Sequence, residues 1–101
     1  SGLNWHNDRR HEKAFTFYCH QRWSPEWGGE FQTLDLKGED KKMIWKVFDN
    51  KELFDAMIDR GIGQFFHPKP NRLIINSDIM HKINTTSTDS SARLSLQGFI
   101  A

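Results

Sequence analysis

The sequence predicts one small, mainly β domain, an antiparallel sandwich or barrel-like core carrying a single inserted helix. Three observations lead there. The chain has 101 residues, enough for one domain with a modest core and no second one. Short runs rich in aromatic and branched residues recur along it, several alternating polar with apolar in the period of a half-buried strand. Clusters of Pro, Gly, Asn and Ser punctuate those runs as turns do. Eight Phe, four Trp and one Tyr supply the core material that a disordered chain lacks.

Taken in order, Trp5-His6-Asn7-Asp8 reads as an extended segment, and Ala14 to His20 (AFTFYCH) as an aromatic-rich strand. Ser24-Pro25-Glu26-Trp27-Gly28-Gly29 is a loop, because Pro fixes φ and the paired glycines are free to take positive φ. Glu30 to Leu36 alternates as a second strand. Asp49 can cap a helix, with Glu52 three residues on completing a capping box; Leu53, Phe54, Met57 and Ile58 give that helix an apolar face, and Gly61 ends it. Gln64 to His67, Arg72 to Asn76 and Ala92 to Ala101 are further strands, separated by His67-Pro68-Lys69-Pro70-Asn71 and by the polar run from Asn84 to Ser91. There is no internal repeat and no linker-like tract.

A formal charge of +1, with acidic and basic residues interspersed, gives no general attraction to nucleic acid or anionic membrane. No apolar run is long enough to cross a bilayer, and residues 1–12 lack the basic and apolar regions of a signal peptide. Cys19 is the single cysteine, so no internal disulfide is needed and a cytoplasmic address is the simpler expectation, which one thiol does not fix.

The chemistry-bearing residues begin with His6 and Asp8. Side chains two apart on an extended strand point to the same face, so an imidazole and a carboxylate can converge on one point. A 2-His-1-carboxylate site needs a distant second histidine, for which His81 is the candidate. Two solvated side chains are the plain alternative. In the last strand Arg93, Ser95 and Gln97 fall on one face and Leu94, Leu96 and Ile100 on the other. A guanidinium fork and a hydroxyl two residues later suit a carboxylate; an exposed edge strand with an ion-paired Arg is the alternative.

Five segments in order, WHND (5–8), TFYCH (16–20), WGGEF (27–31), PKPNRLIIN (68–76) followed by His81, and RLSLQGF (93–99), together resemble the catalytic core of 2-oxoglutarate- and Fe(II)-dependent dioxygenases, within them the prolyl-hydroxylase-like branch. The resemblance spans nearly all of the chain except 37–61. It implies a double-stranded β-helix (jelly-roll) core over 1–101, with 37–61 as an insertion serving as a substrate lid or as cover for the sheet. It implies His6, Asp8 and His81 as iron ligands, Arg93 as partner of the distal carboxylate of 2-oxoglutarate, and Ser95 and Tyr18 as helpers. A one-residue slip would turn Phe17 inward in place of Tyr18, and a plain core aromatic is the other reading of Tyr18. His20 stands where relatives often carry an amide and is read as a surface or supporting residue; His11 and His67 are read as solvated or turn histidines.

The implied activity is hydroxylation of an unactivated C–H bond, peptidyl proline being one substrate, with Fe(II), 2-oxoglutarate and O2, ascorbate support, and succinate and CO2 as co-products. A dioxygenase acting on nucleobases or small metabolites, and a non-catalytic metal-binding or interaction module, are the alternatives. A nuclease reading of His6-Asn7-Asp8 lacks its second metal-binding element. Compared with the family, a first strand and N-terminal helices are missing, so Leu94, Leu96 and Ile100 should be bare beside an unpaired edge. A partner subunit, as in a homo-oligomer, or a missing N-terminal segment is expected to cover them.

Overall fold

The computed structural model describes residues 3–6, 13–44, 46–47, 49–77 and 79–100. Among them seven strands form: β1 (Leu3–His6), β2 (Lys13–Tyr18), β3 (Phe31–Asp35), β4 (Ile62–Phe66), β5 (Leu73–Asn76), β6 (Met80–Ile83) and β7 (Ser95–Ile100). Helices α1 (Glu39–Met43) and α2 (Lys51–Arg60) lie between β3 and β4. The domain is mainly β, as the alternation predicts. The strands pair antiparallel in two sheets, a first of order β1-β6-β3-β4 and a second of order β5-β2-β7.

Register decides which side chains face inward. Across the first sheet His6 pairs with His81, His81 with Thr33 and Thr33 with Gln64, a single row on one face. Across the second, Tyr18 pairs with Ser95, Thr16 with both Gln97 and Ile74, and Ala14 with both Phe99 and Asn76. Tyr18 and Thr16 are buried, and a cleft of about 160 Å³ touches His6, Phe31, His81, Thr16, Asn76 and Gln97 from the two sheets together. These two rows therefore face each other.

The first sheet's opposite face carries the main core. Leu34 and Met80 from the strands pack with Leu36, Ile44 and Met57, and Trp5, Phe54 and Ile58 close around them. Fully burying one such aliphatic side chain stabilises by roughly 1.5 to 3 kcal/mol. Residues 37–61 thus cover the outer face of the first sheet.

Three local expectations are corrected. The cap of α2 is Asn50 rather than Asp49: Asn50 is extended (φ −100°, ψ 97°) and its side-chain oxygen accepts from Leu53 N–H at 3.2 Å. Leu53 is about half exposed, leaving Phe54, Met57 and Ile58 as the packing face. A second helix, α1, forms as well, five residues with none buried, held at one end by the Arg60 guanidinium donating twice to Asp40 at 2.9 Å.

The second sheet is covered differently. Leu73, Ile75, Leu94, Leu96 and Ile100 lie on its outer face and stay 42% to 60% exposed, and β7 is an edge strand among the described residues. The bareness expected of Leu94, Leu96 and Ile100 is present. No helix among the described residues is long and apolar enough to cross a membrane.

Candidate metal and anion site

His6 and His81 come together because β1 and β6 pair with these two residues in register. Their rings sit 4.2 Å apart, centroid to centroid, edge to face. His81 is buried, stacked on Phe31 at 5.4 Å and an interplanar angle of 10°. Its Nδ1 lies 3.0 Å from Ile79 O. A carbonyl oxygen can only accept, so Nδ1 carries the proton and the ring's lone pair is on Nε2. Metal-binding histidines are oriented in this way, the second nitrogen donating to a carbonyl. Asp8, the third expected ligand, lies outside the described residues, as does His11. Among the described residues no group of three His, Cys, Asp or Glu side chains is placed to hold a metal.

On the facing sheet Tyr18 points inward and is fully buried, so the slip that would turn Phe17 inward does not occur. Its hydroxyl has no hydrogen-bond partner, and neither does Nη1 of Arg93, which is buried too. Burial pushes the Tyr18 phenol above its ordinary value, and the positive charges of Arg93 and then Arg72 pull against that rise. The Arg93 guanidinium also pulls the phenol down as a hydrogen-bond donor in close reach of its oxygen, although the contact falls outside well-formed hydrogen-bond geometry, which leaves both atoms room for a better partner. Ser95 is the cross-strand partner of Tyr18 on the same face, and its hydroxyl accepts from Gln97 Nε2 at 3.2 Å.

The loop before β3 places Arg93. Gly28 and Gly29 both take positive φ, 79° and 76°, and a Cβ at Gly29 would crowd Thr86 and Trp23 at 3.2 Å, with the Arg93 stem at ordinary contact distance, 3.5 Å. Gly29 N–H donates to Thr85 O, Asn84 N–H to Glu30 O and Ser87 N–H to Trp27 O, which ties this loop to residues 84–87.

Two residues go beyond the sequence reading. Arg72 lies opposite Tyr18, since Tyr18 N–H donates to Arg72 O and Asn71 N–H to Tyr18 O, and its Nη1 donates to His67 O at 3.0 Å. It also lines a groove of about 590 Å³ between β4 and β5, with Thr33, Gln64, Phe66 and Ile74. The alternation of Arg72, Ile74 and Asn76 along one strand was the signal that could have found it. His20 is the other: of its two readings, surface or supporting residue, burial excludes the first. His67 fits its reading as a turn residue, its carbonyl serving Arg72 and Lys69.

Chemically, the interior holds an imidazole pair on one wall and a phenol with two nearby guanidinium charges on the other. The first set suits a borderline divalent cation, the second an anion. Comparison with protein-family models, with curated proteins and with solved structures gave no match.

Proposed function

We propose that this chain is the catalytic core of an Fe(II)- and 2-oxoglutarate-dependent dioxygenase that hydroxylates an unactivated C–H bond. The observation that carries the reading is the pairing of His6 with His81 on the inner face of one sheet, facing the sheet that carries the buried Tyr18 phenol with the Arg93 guanidinium beside it. A metal-chelating diacid has one end for each set. The strand orders β1-β6-β3-β4 and β5-β2-β7 support a jelly roll whose second sheet would be completed by one more strand beside β7.

On this reading His6, Asp8 and His81 hold the iron, and Arg93, Ser95 and Tyr18 hold the distal carboxylate of 2-oxoglutarate. Iron held there would activate O2, the oxidant that couples decarboxylation of 2-oxoglutarate to hydroxylation. The protein's part is orientation. Ile79 O keeps the His81 lone pair at Nε2 and Phe31 fixes its ring plane. Arg93 offers two donors in one plane, which sets the diacid's direction as well as its affinity. The Tyr18 hydroxyl, protonated at neutral pH, can donate to the carboxylate. Facing sheets would limit the access of bulk water to the reacting atoms.

The substrate is a peptide, proline-containing chains being the first to try, or a small molecule. The bare outer face of the second sheet supports coverage by another polypeptide, a partner subunit or an N-terminal segment. Strictly monomeric behaviour with no further chain would contradict that coverage. For the activity itself, Asp8→Ala should abolish Fe(II)-dependent succinate formation, and turnover retained in that variant would remove Asp8 from the ligand set.

A further inference from the structure

His20 bridges three segments far apart in the chain. It follows β2, its Nδ1 accepts from Leu94 N–H at 3.2 Å, and its Nε2 is bonded to Pro68 O. An amide nitrogen can only donate and a carbonyl can only accept, so the ring is neutral with its proton on Nε2, and both nitrogens are satisfied. The ring packs between Tyr18 at 5.6 Å and Trp23 at 4.8 Å. Leu94 is held from its other side as well, its carbonyl accepting from Cys19 N–H at 2.8 Å. Pro68 belongs to the turn in which Arg72 N–H donates to Lys69 O. The residue beside Leu94 is Arg93, and the strand that leaves the Pro68 turn starts beside Arg72. One imidazole therefore joins the backbones that carry both guanidinium groups to the strand that carries Tyr18.

We propose that His20 is a positioning residue of the anion pocket, fixing Arg93 and Arg72 about the Tyr18 hydroxyl so that the co-substrate carboxylate meets a preformed site. This rests on reading that pocket as the 2-oxoglutarate end. Asparagine puts an oxygen near the position of Nδ1 and keeps the acceptor for Leu94; leucine keeps bulk and loses both bonds.

The test compares His20→Leu and His20→Asn in the full chain by three readouts: 2-oxoglutarate affinity, Fe(II) affinity without 2-oxoglutarate, and alkaline titration of the tyrosine absorbance, which reports Tyr18 alone because the chain has one tyrosine. His20→Leu should weaken 2-oxoglutarate binding about fivefold to tenfold, the scale of one neutral hydrogen bond, leave Fe(II) binding unchanged and shift the phenol titration upward as the guanidinium charges recede. His20→Asn should restore most of both. Equal effects on Fe(II) and 2-oxoglutarate, or a phenol titration that stays put in His20→Leu, would overturn the proposal. If His20→Leu does not fold, His20→Asn decides: wild-type-like affinity and titration uphold the Leu94 bond as the positioning contact, and leucine-like loss overturns it. A wild-type protein that binds no 2-oxoglutarate sinks the dioxygenase reading, while the phenol titration still judges His20.

Discussion

Removing the Arg93 guanidinium while keeping its stem should damage co-substrate binding and little else. Arg93→Met is the perturbation, because methionine keeps an unbranched stem beside Gly29 and removes the charge. The wild-type guanidinium is half-buried, with Nη1 lacking a partner, so a carboxylate arriving there gains charge-assisted bonds at a group already removed from water. Truncating one member of a buried charge pair costs about 2 to 5 kcal/mol. Arg93 keeps some exposure and Arg72 leaves a second positive charge nearby, which puts the expected loss near the lower end. A loss of about 2 to 3 kcal/mol corresponds to roughly 30- to 150-fold weaker 2-oxoglutarate binding at 1.4 kcal/mol per decade. Anaerobic calorimetric titration of the iron-loaded protein measures it, and the apparent KM for 2-oxoglutarate should rise in parallel. Unchanged affinity, or an equal loss of Fe(II) binding, would refute the assignment of Arg93 to the distal carboxylate.

The Tyr18 phenol should titrate above the ordinary tyrosine value of 10.0, and Arg93→Met should raise it further; a wild-type titration at or below the ordinary value would contradict the burial. Because the folded protein holds this proton more tightly than the unfolded chain, the associated stability is intact below the unfolded value and is lost as pH rises through the folded one. Denaturant unfolding at increasing alkaline pH should show that decline, and Tyr18→Phe should flatten it. Leu34→Ala, in the core beneath the helices, should lower stability by about 2 to 4 kcal/mol in denaturant titration, without a selective effect on 2-oxoglutarate binding. Gly28→Ala places a Cβ 2.1 Å from Thr85 O at a φ of +79°, so it should displace residues 84–87 and lower the melting temperature; an unshifted melting curve would show that this approach is not maintained.

Much of the architecture is legible because strand alternation is local. Residues 14–20, 30–36, 72–76 and 92–101 announce their strands through aromatic and branched runs, and the inward set Ser95 and Tyr18 follows from period two once pairing is known. β6 is four residues, MHKI, too short for its alternation to stand out, so His81 could be singled out without its strand. The choice between Asp49 and Asn50 as cap is invisible locally, since either side chain can accept and backbone angles decide. Arg72 alternates with Ile74 and Asn76, but it stands directly after a Pro-Asn turn, and it is pairing that sets it opposite Tyr18. His20 makes bonds across 48 and 74 residues of sequence, and no spacing rule reaches that far. Of the three expected metal ligands, β1 delivers His6 to His81 by register, and Asp8 lies outside the described residues.

The central claim, that one interior binds ferrous iron and 2-oxoglutarate together, is tested most directly by anaerobic titration of the folded protein with Fe(II) and 2-oxoglutarate while watching the visible spectrum. The account predicts a weak charge-transfer band that needs both additions and is lost in His81→Ala. A flat difference spectrum from folded, iron-supplied wild-type protein would contradict it.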